Sequence, residues 1–87
     1  PTTLAALRAE RALLSGLGGD CHVPIGGIAI PKDSNLTLSA TVSSLDGSRM
    51  LLERQKGTVS EATELGQLVA DSLLRAGASR IINEHPL

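Results

Sequence analysis

Residues 36 to 43 read LTLSATVS, and Leu36, Leu38, Ala40 and Val42 alternate in strict period two with Thr37, Ser39, Thr41 and Ser43. Side chains leave a strand on opposite faces in turn, so this run predicts a strand with one buried and one wetted face. Upstream, VPIGGIAI at 23 to 30 is a β-branched run interrupted by Gly26 and Gly27, the pattern of a strand with a bulge or a close backbone approach. PKDSN at 31 to 35 is a turn cluster between the two. Downstream, Asp46-Gly47 signals a second hairpin, and RMLLERQK at 49 to 56 supplies the returning strand, its polar end nearer solvent. Two hairpins in succession give a three-stranded antiparallel meander.

Helices flank this meander. LAALRAERALLS, in the stretch from Thr3 to about Ser15, is built from strong helix formers, with Leu4, Leu7, Leu14 and Leu17 near helical spacing, and Gly16, Gly18 and Gly19 end it. After the third strand, Thr58 and Glu61 have capping-box spacing. Leu65, Val69 and Leu73, with Ala62, Gly66 and Ala70 alongside, then make one apolar helical stripe that ends near Gly77. Ser79 is placed to cap a last short turn through Ile81 and Ile82 before Pro86. The order is α-β-β-β-α-α, an α+β domain in two layers with the helices on one sheet face.

A chain of 87 residues suits a single domain, 1–87, and buries about 60% of its unfolded surface. It has no Phe, Tyr or Trp, so Leu, Ile, Val and Ala supply nearly all its apolar area, and such a piece is expected to lean on neighbours. Net charge is -1 and the eight Lys and Arg are scattered in sequence, which argues against nucleic acid as a partner. No window approaches the roughly 20 apolar residues of a membrane span, and no signal peptide opens the chain. The first residue is Pro1, which suggests a piece of a longer chain.

Cys21 is the single cysteine, so it forms no internal disulfide, and the reducing cytoplasm is the simplest compartment. It lies in GLGGDCHVPIG, a glycine-rich loop between the first helix and the first strand, and two readings stand open: an inert core thiol or a reactive group. His22 favours a lower thiol pKa and the C-terminal end of the preceding helix opposes it. Cys21, His22 and His85 lack the paired spacing of zinc ligands and read as surface residues, so no metal is expected. Asp20, Cys21, His22 and Ser15 are too close in sequence for a nucleophile-base-acid set, which is assembled from distant segments. GLGGD follows a helix, whereas phosphate-binding glycines follow a strand, so it reads as a helix end. Glu10 and Arg11 read either as a solvated pair or, for Arg11, as a contact to another domain or to a substrate carboxylate.

Four patterns occur in order: ERA at 10 to 12, L-x-x-x-C-x-V-P-I-G from Leu17 to Gly26, DGS at 46 to 48, and LG-x-x-x-A-x-x-LL-x-x-GA-x-x-I from Leu65 to Ile81. Together they resemble, along essentially the whole chain, the C-terminal domain of the hydroxymethylbilane synthase (porphobilinogen deaminase) family. Asp20 stands where a second glycine is common, and His22 where glutamine is frequent. The resemblance implies a transferase of haem and chlorophyll biosynthesis that condenses porphobilinogen head to tail, releasing ammonia, into hydroxymethylbilane. It also implies that Cys21 carries the covalently attached dipyrromethane cofactor. The catalytic carboxylate and most residues that hold the acetate and propionate groups belong, by the same resemblance, to two preceding domains absent from this chain. Those domains and the porphobilinogen-derived pyrrole chain are the implied partners; no catalytic residue is expected here, and the isolated domain is expected to be inactive. The alternative is a stand-alone α+β protein-interaction module without catalytic activity.

Overall fold

A computed structural model describes residues 2–18 and 24–83. The chain runs α1 (Thr2–Gly16), β1 (Ile25–Lys32), β2 (Asn35–Ser43), β3 (Met50–Thr58), a single 3-10 turn (Val59–Glu61), α2 (Ala62–Arg75) and α3 (Ala78–Asn83). The sheet is an antiparallel meander in the order β1-β2-β3, as the two turn signals predict.

The alternating run forms the central strand, and its four apolar residues, Leu36, Leu38, Ala40 and Val42, are at most 1% exposed. Opposite them across the core lie Leu65, Val69 and Leu73 of α2 and Ala5, Ala9 and Leu13 of α1. Every buried residue among those described is apolar, so the core is held by aliphatic packing, at about 1.5–3 kcal/mol for each fully buried Leu or Val. β3 is an edge strand, and its inward positions Glu53 and Gln55 are only half-buried. The open face carries Ile28, Ile30 and Leu52, each at least 60% exposed, beside the Arg54 guanidinium, which donates to Ser39 Oγ at 3.1 Å.

Several local expectations change in detail. The register from Ile25↔Val42 to Lys32↔Asn35 is continuous, so β1 contains no bulge; the alternative, close approach, is what Gly27 provides. A Cβ there would come within 2.7 Å of Leu13 Cδ2 of α1. The turn between β1 and β2 is shorter than PKDSN: Pro31 and Lys32 belong to β1, Asn35 to β2, and Asp33 takes the left-handed conformation, φ 58°, that tight hairpins use. Thr58 and Glu61 do not form a capping box. Thr58 Oγ1 donates to Glu61 Oε1 at 2.9 Å, and no side chain caps the helical turn's backbone. Ser79 lies inside α3, which begins one residue earlier.

The leucine spacing marks α1 as a helix, but its buried face is a different one. Ala5, Ala9, Leu13 and Leu17 are buried, while Leu4, Leu7 and Leu14 are 47%, 40% and 44% exposed. The cause is helix-helix proximity: at Gly66 of α2, a Cβ would overlap the Ala9 carbonyl oxygen and stand 2.7 Å from Ala12 Cβ. At this closest approach α1 meets α2 with Ala9, Ala12 and the backbone of Leu13, while Leu4, Leu7 and Leu14 lie on the outer side of the helix.

Candidate functional site

Cys21 lies outside the described residues, as do Asp20, His22 and His85; the structure describes the residues on either side of the Cys21 segment. On one side α1 closes with Leu17 N–H donating to the Leu13 carbonyl at 3.1 Å and Gly18 N–H to the Ser15 carbonyl at 3.2 Å. Gly18 then takes φ +90°, which a side-chain-bearing residue rarely adopts, and turns the chain out of the helix. On the other side Pro24 accepts a hydrogen bond from Ser43 N–H at 3.0 Å, which fixes the entry into β1 beside the end of β2.

A third contact joins the two sides. Glu10 Oε2 of α1 accepts the backbone N–H of Ala29 in β1 at 3.0 Å. β1 is an edge strand, so an N–H that points away from β2 would otherwise have no partner, and the half-buried carboxylate satisfies it. Glu10 is therefore a structural tie, and the solvated-pair reading of Glu10 with Arg11 does not hold for it. Arg11 is exposed and shares the outer face of α1 with Leu4, Leu7 and Leu14. The sequence motif ERA thus divides its labour: Glu10 faces β1, and Arg11 faces away.

The motif DGS has an equally concrete role. Asp46 Oδ1 accepts hydrogen bonds from Ser44 Oγ (2.7 Å), Ser48 N–H (3.0 Å) and Ser48 Oγ (2.8 Å). These hold the Asp46 carboxyl down at about pKa 2, the Ser48 backbone N–H contributing most, followed by the Ser44 and Ser48 hydroxyls. Ser44 N–H also donates to the Arg49 carbonyl at 2.9 Å, and Ser44 Oγ accepts Arg49 N–H at 3.1 Å, so the β2–β3 turn is closed from within.

Beside this turn is a feature that sequence reading missed. Arg49 at the end of the turn, Arg75 at the end of α2 and Arg80 in α3 line one groove of about 630 Å³, with Ser48, Met50 and Ile81. Nothing in the linear sequence signals that these arginines meet, since the fold brings the C-terminal end of α2 back to the start of β3. Among the described residues no three His, Cys, Asp or Glu side chains gather as metal ligands, and no helix is long and apolar enough to cross a membrane.

Comparison with known proteins adds a family to this geometry. The sequence model described as porphobilinogen deaminase, C-terminal domain, matches residues 4–75. The porphobilinogen deaminase of Thiobacillus denitrificans is 43% identical over 86 residues, which are 99% of this chain and 28% of that protein. That of Syntrophobacter fumaroxidans is 44% identical over 84 residues, 97% of this chain and 27% of that protein. That of Moorella thermoacetica is 43% identical over 84 residues, again 97% and 27%. The chain thus spans little more than a quarter of the length of these curated relatives. It belongs to the porphobilinogen deaminase C-terminal domain family.

Proposed function

We propose that this chain is the cofactor-carrying domain of a hydroxymethylbilane synthase, with Cys21 as the attachment point of the dipyrromethane. The observation that carries the reading is the family match across residues 4–75, a span that contains the loop from Gly18 to Pro24 and its cysteine. In this reading the complete enzyme joins porphobilinogen units head to tail, with loss of ammonia, into hydroxymethylbilane in tetrapyrrole biosynthesis. Cytoplasmic location accords with an unpaired thiol.

The chemistry of the donor suits the group. A dipyrromethane held through sulfur supplies the pyrrole terminus on which the chain grows. Its carrier must be a soft nucleophile that makes one bond to an electrophilic carbon beside a pyrrole ring, and a thiolate does this better than a hydroxyl. Support from the described residues is that the elements before and after the Cys21 segment are joined, by the Glu10–Ala29 tie and by the Pro24–Ser43 hydrogen bond at the entry into β1. Acid-base chemistry is assigned to the two N-terminal domains of the same enzyme, which are also the proposed partners. The outward leucines Leu4, Leu7 and Leu14 around Arg11 support a packed contact there, with Arg11 reaching a neighbouring domain or a substrate carboxylate.

The test is Cys21→Ser in the complete enzyme. Mass spectrometry of the peptide that contains residue 21 should show the dipyrromethane adduct in the parent protein and none in the variant, whose circular dichroism stays unchanged. Retention of the adduct and of normal turnover by the serine protein would overturn the assignment. The 87 residues alone should form no bilane from porphobilinogen.

A further inference from the structure

Asp46-Gly47 is the only place in the sequence where an Asp or Asn is followed by glycine. Such a pair is prone to spontaneous isomerisation, because a glycine nitrogen with no Cβ beside it reaches the aspartate side chain unhindered. In that reaction the Gly47 nitrogen bonds to Asp46 Cγ, and one carboxyl oxygen leaves as water with the amide proton, closing a five-membered imide. Water then adds back. When it breaks the bond from the nitrogen to the original backbone carbonyl, the main chain continues through Cβ and Cγ. The product, isoaspartate, has the same mass and one more backbone atom, and water is the only co-reactant.

The turn opposes each requirement of that step. Gly47 N–H donates to the Ser44 carbonyl at 3.0 Å, so the attacking nitrogen holds its proton in a hydrogen bond. That bond closes a β-turn over residues 44–47. Neither Leu45 nor Asp46 has a positive φ, which makes the turn type I, with ψ of about 0° at Asp46. Ring closure needs Cγ rotated behind the Gly47 nitrogen, away from that ψ. Asp46 Oδ1 is meanwhile held by Ser44 Oγ, Ser48 N–H and Ser48 Oγ, which favour the ionised carboxylate, a form that loses oxygen poorly. Residues 45–50 are all exposed, so burial offers no protection and the hydrogen bonds supply it. We propose that Asp46 is a spontaneous modification site that Ser44 and Ser48 hold closed, and that opening the turn releases it to isoaspartate. The added backbone atom falls next to the Ser43↔Met50 pair that begins the β2–β3 ladder. The site is independent of Cys21 and of the proposed activity.

Ageing the 87-residue chain at neutral pH and measuring isoaspartate at residue 46 by peptide mapping provides the test. A synthetic peptide of residues 43–50 gives the rate without the turn, and the double variant Ser44→Ala/Ser48→Ala removes both hydroxyl donors. The chain should isomerise at least about tenfold more slowly than the peptide, because each unit of pKa lowering thins the neutral acid about tenfold. The double variant should recover most of that difference while its circular dichroism stays that of the parent. Ser48→Ala alone, which keeps the Ser44 Oγ and Ser48 N–H donors, should fall between them and decides the matter if the double variant does not fold. A parent chain that isomerises as fast as the peptide, or serine variants as slow as the parent, would overturn the proposal.

Discussion

The Glu10 carboxylate accepts the Ala29 backbone N–H at 3.0 Å, fastening the middle of α1 to the outer edge of β1. These two elements flank the segment that contains Cys21 in the sequence, and a single side chain joins them while capping a donor on the sheet edge. Glu10→Ala should cost about 1.5–3 kcal/mol, the range for a hydrogen bond to a charged group. Glu10→Gln keeps an acceptor and should lose less. Denaturant unfolding gives the energies, and hydrogen exchange of the Ala29 amide reports the contact itself; an Ala29 amide equally protected in Glu10→Ala would show that the tie is not needed.

Close packing of the helices makes Gly66 intolerant of a side chain. The Cβ of Gly66→Ala would overlap the Ala9 carbonyl and press on Ala12 Cβ at 2.7 Å. Overpacking of this kind costs about 1–3 kcal/mol, which outweighs the helix propensity gained, about 1 kcal/mol. A lower denaturation midpoint with an unchanged m-value is expected; a rise in stability would contradict the close approach.

Adjacent leucines of α1 should behave oppositely. Leu13 is fully buried, and Leu13→Ala should destabilise by about 2–5 kcal/mol through the cavity it leaves. Leu14 is 44% exposed, and Leu14→Ala should stay within about 0.5 kcal/mol in this chain. If α1 packs on neighbouring domains, Leu14→Lys should instead lower the stability of the complete enzyme. Equal effects of the two alanine substitutions on the chain would mean that the helix is rotated.

The β2–β3 turn should respond to acid through Asp46. Its carboxyl is lowered from 3.8 to about 2, so the ionised form is favoured by folding. The stabilisation is therefore complete above the unfolded value and is lost as pH falls from 3.8 through about 2. Asp46→Asn should flatten that part of the stability profile, and carbon-detected titration of the Asp46 carboxyl should give its midpoint directly. A midpoint near 3.8 would show that the Ser44 and Ser48 hydrogen bonds do not persist in solution.

What the sequence by itself determined was local order and family. Period-two alternation over Leu36 to Val42, the Asp46-Gly47 turn and the stripe at Leu65, Val69 and Leu73 define their elements because strand and helix geometry convert spacing directly into a face. The four ordered motifs carry the family for the same reason, being short-range patterns read in series. The proposed role of Cys21 rests on the same motifs alone, because Cys21 lies outside the described residues. Tertiary structure decided which side of α1 is buried, that Glu10 reaches Ala29, and that Arg49, Arg75 and Arg80 share a groove. None of these is a property of a spacing. Large leucines at helical intervals mark a helix without saying what it faces, and here Ala5, Ala9, Leu13 and Leu17 enter the core while Leu4, Leu7 and Leu14 do not, with Ala9 and Ala12 at the close approach to Gly66. The return of α2 along the sheet then brings Arg75, and Arg80 after it, to the end where Arg49 stands, a meeting that no local spacing encodes.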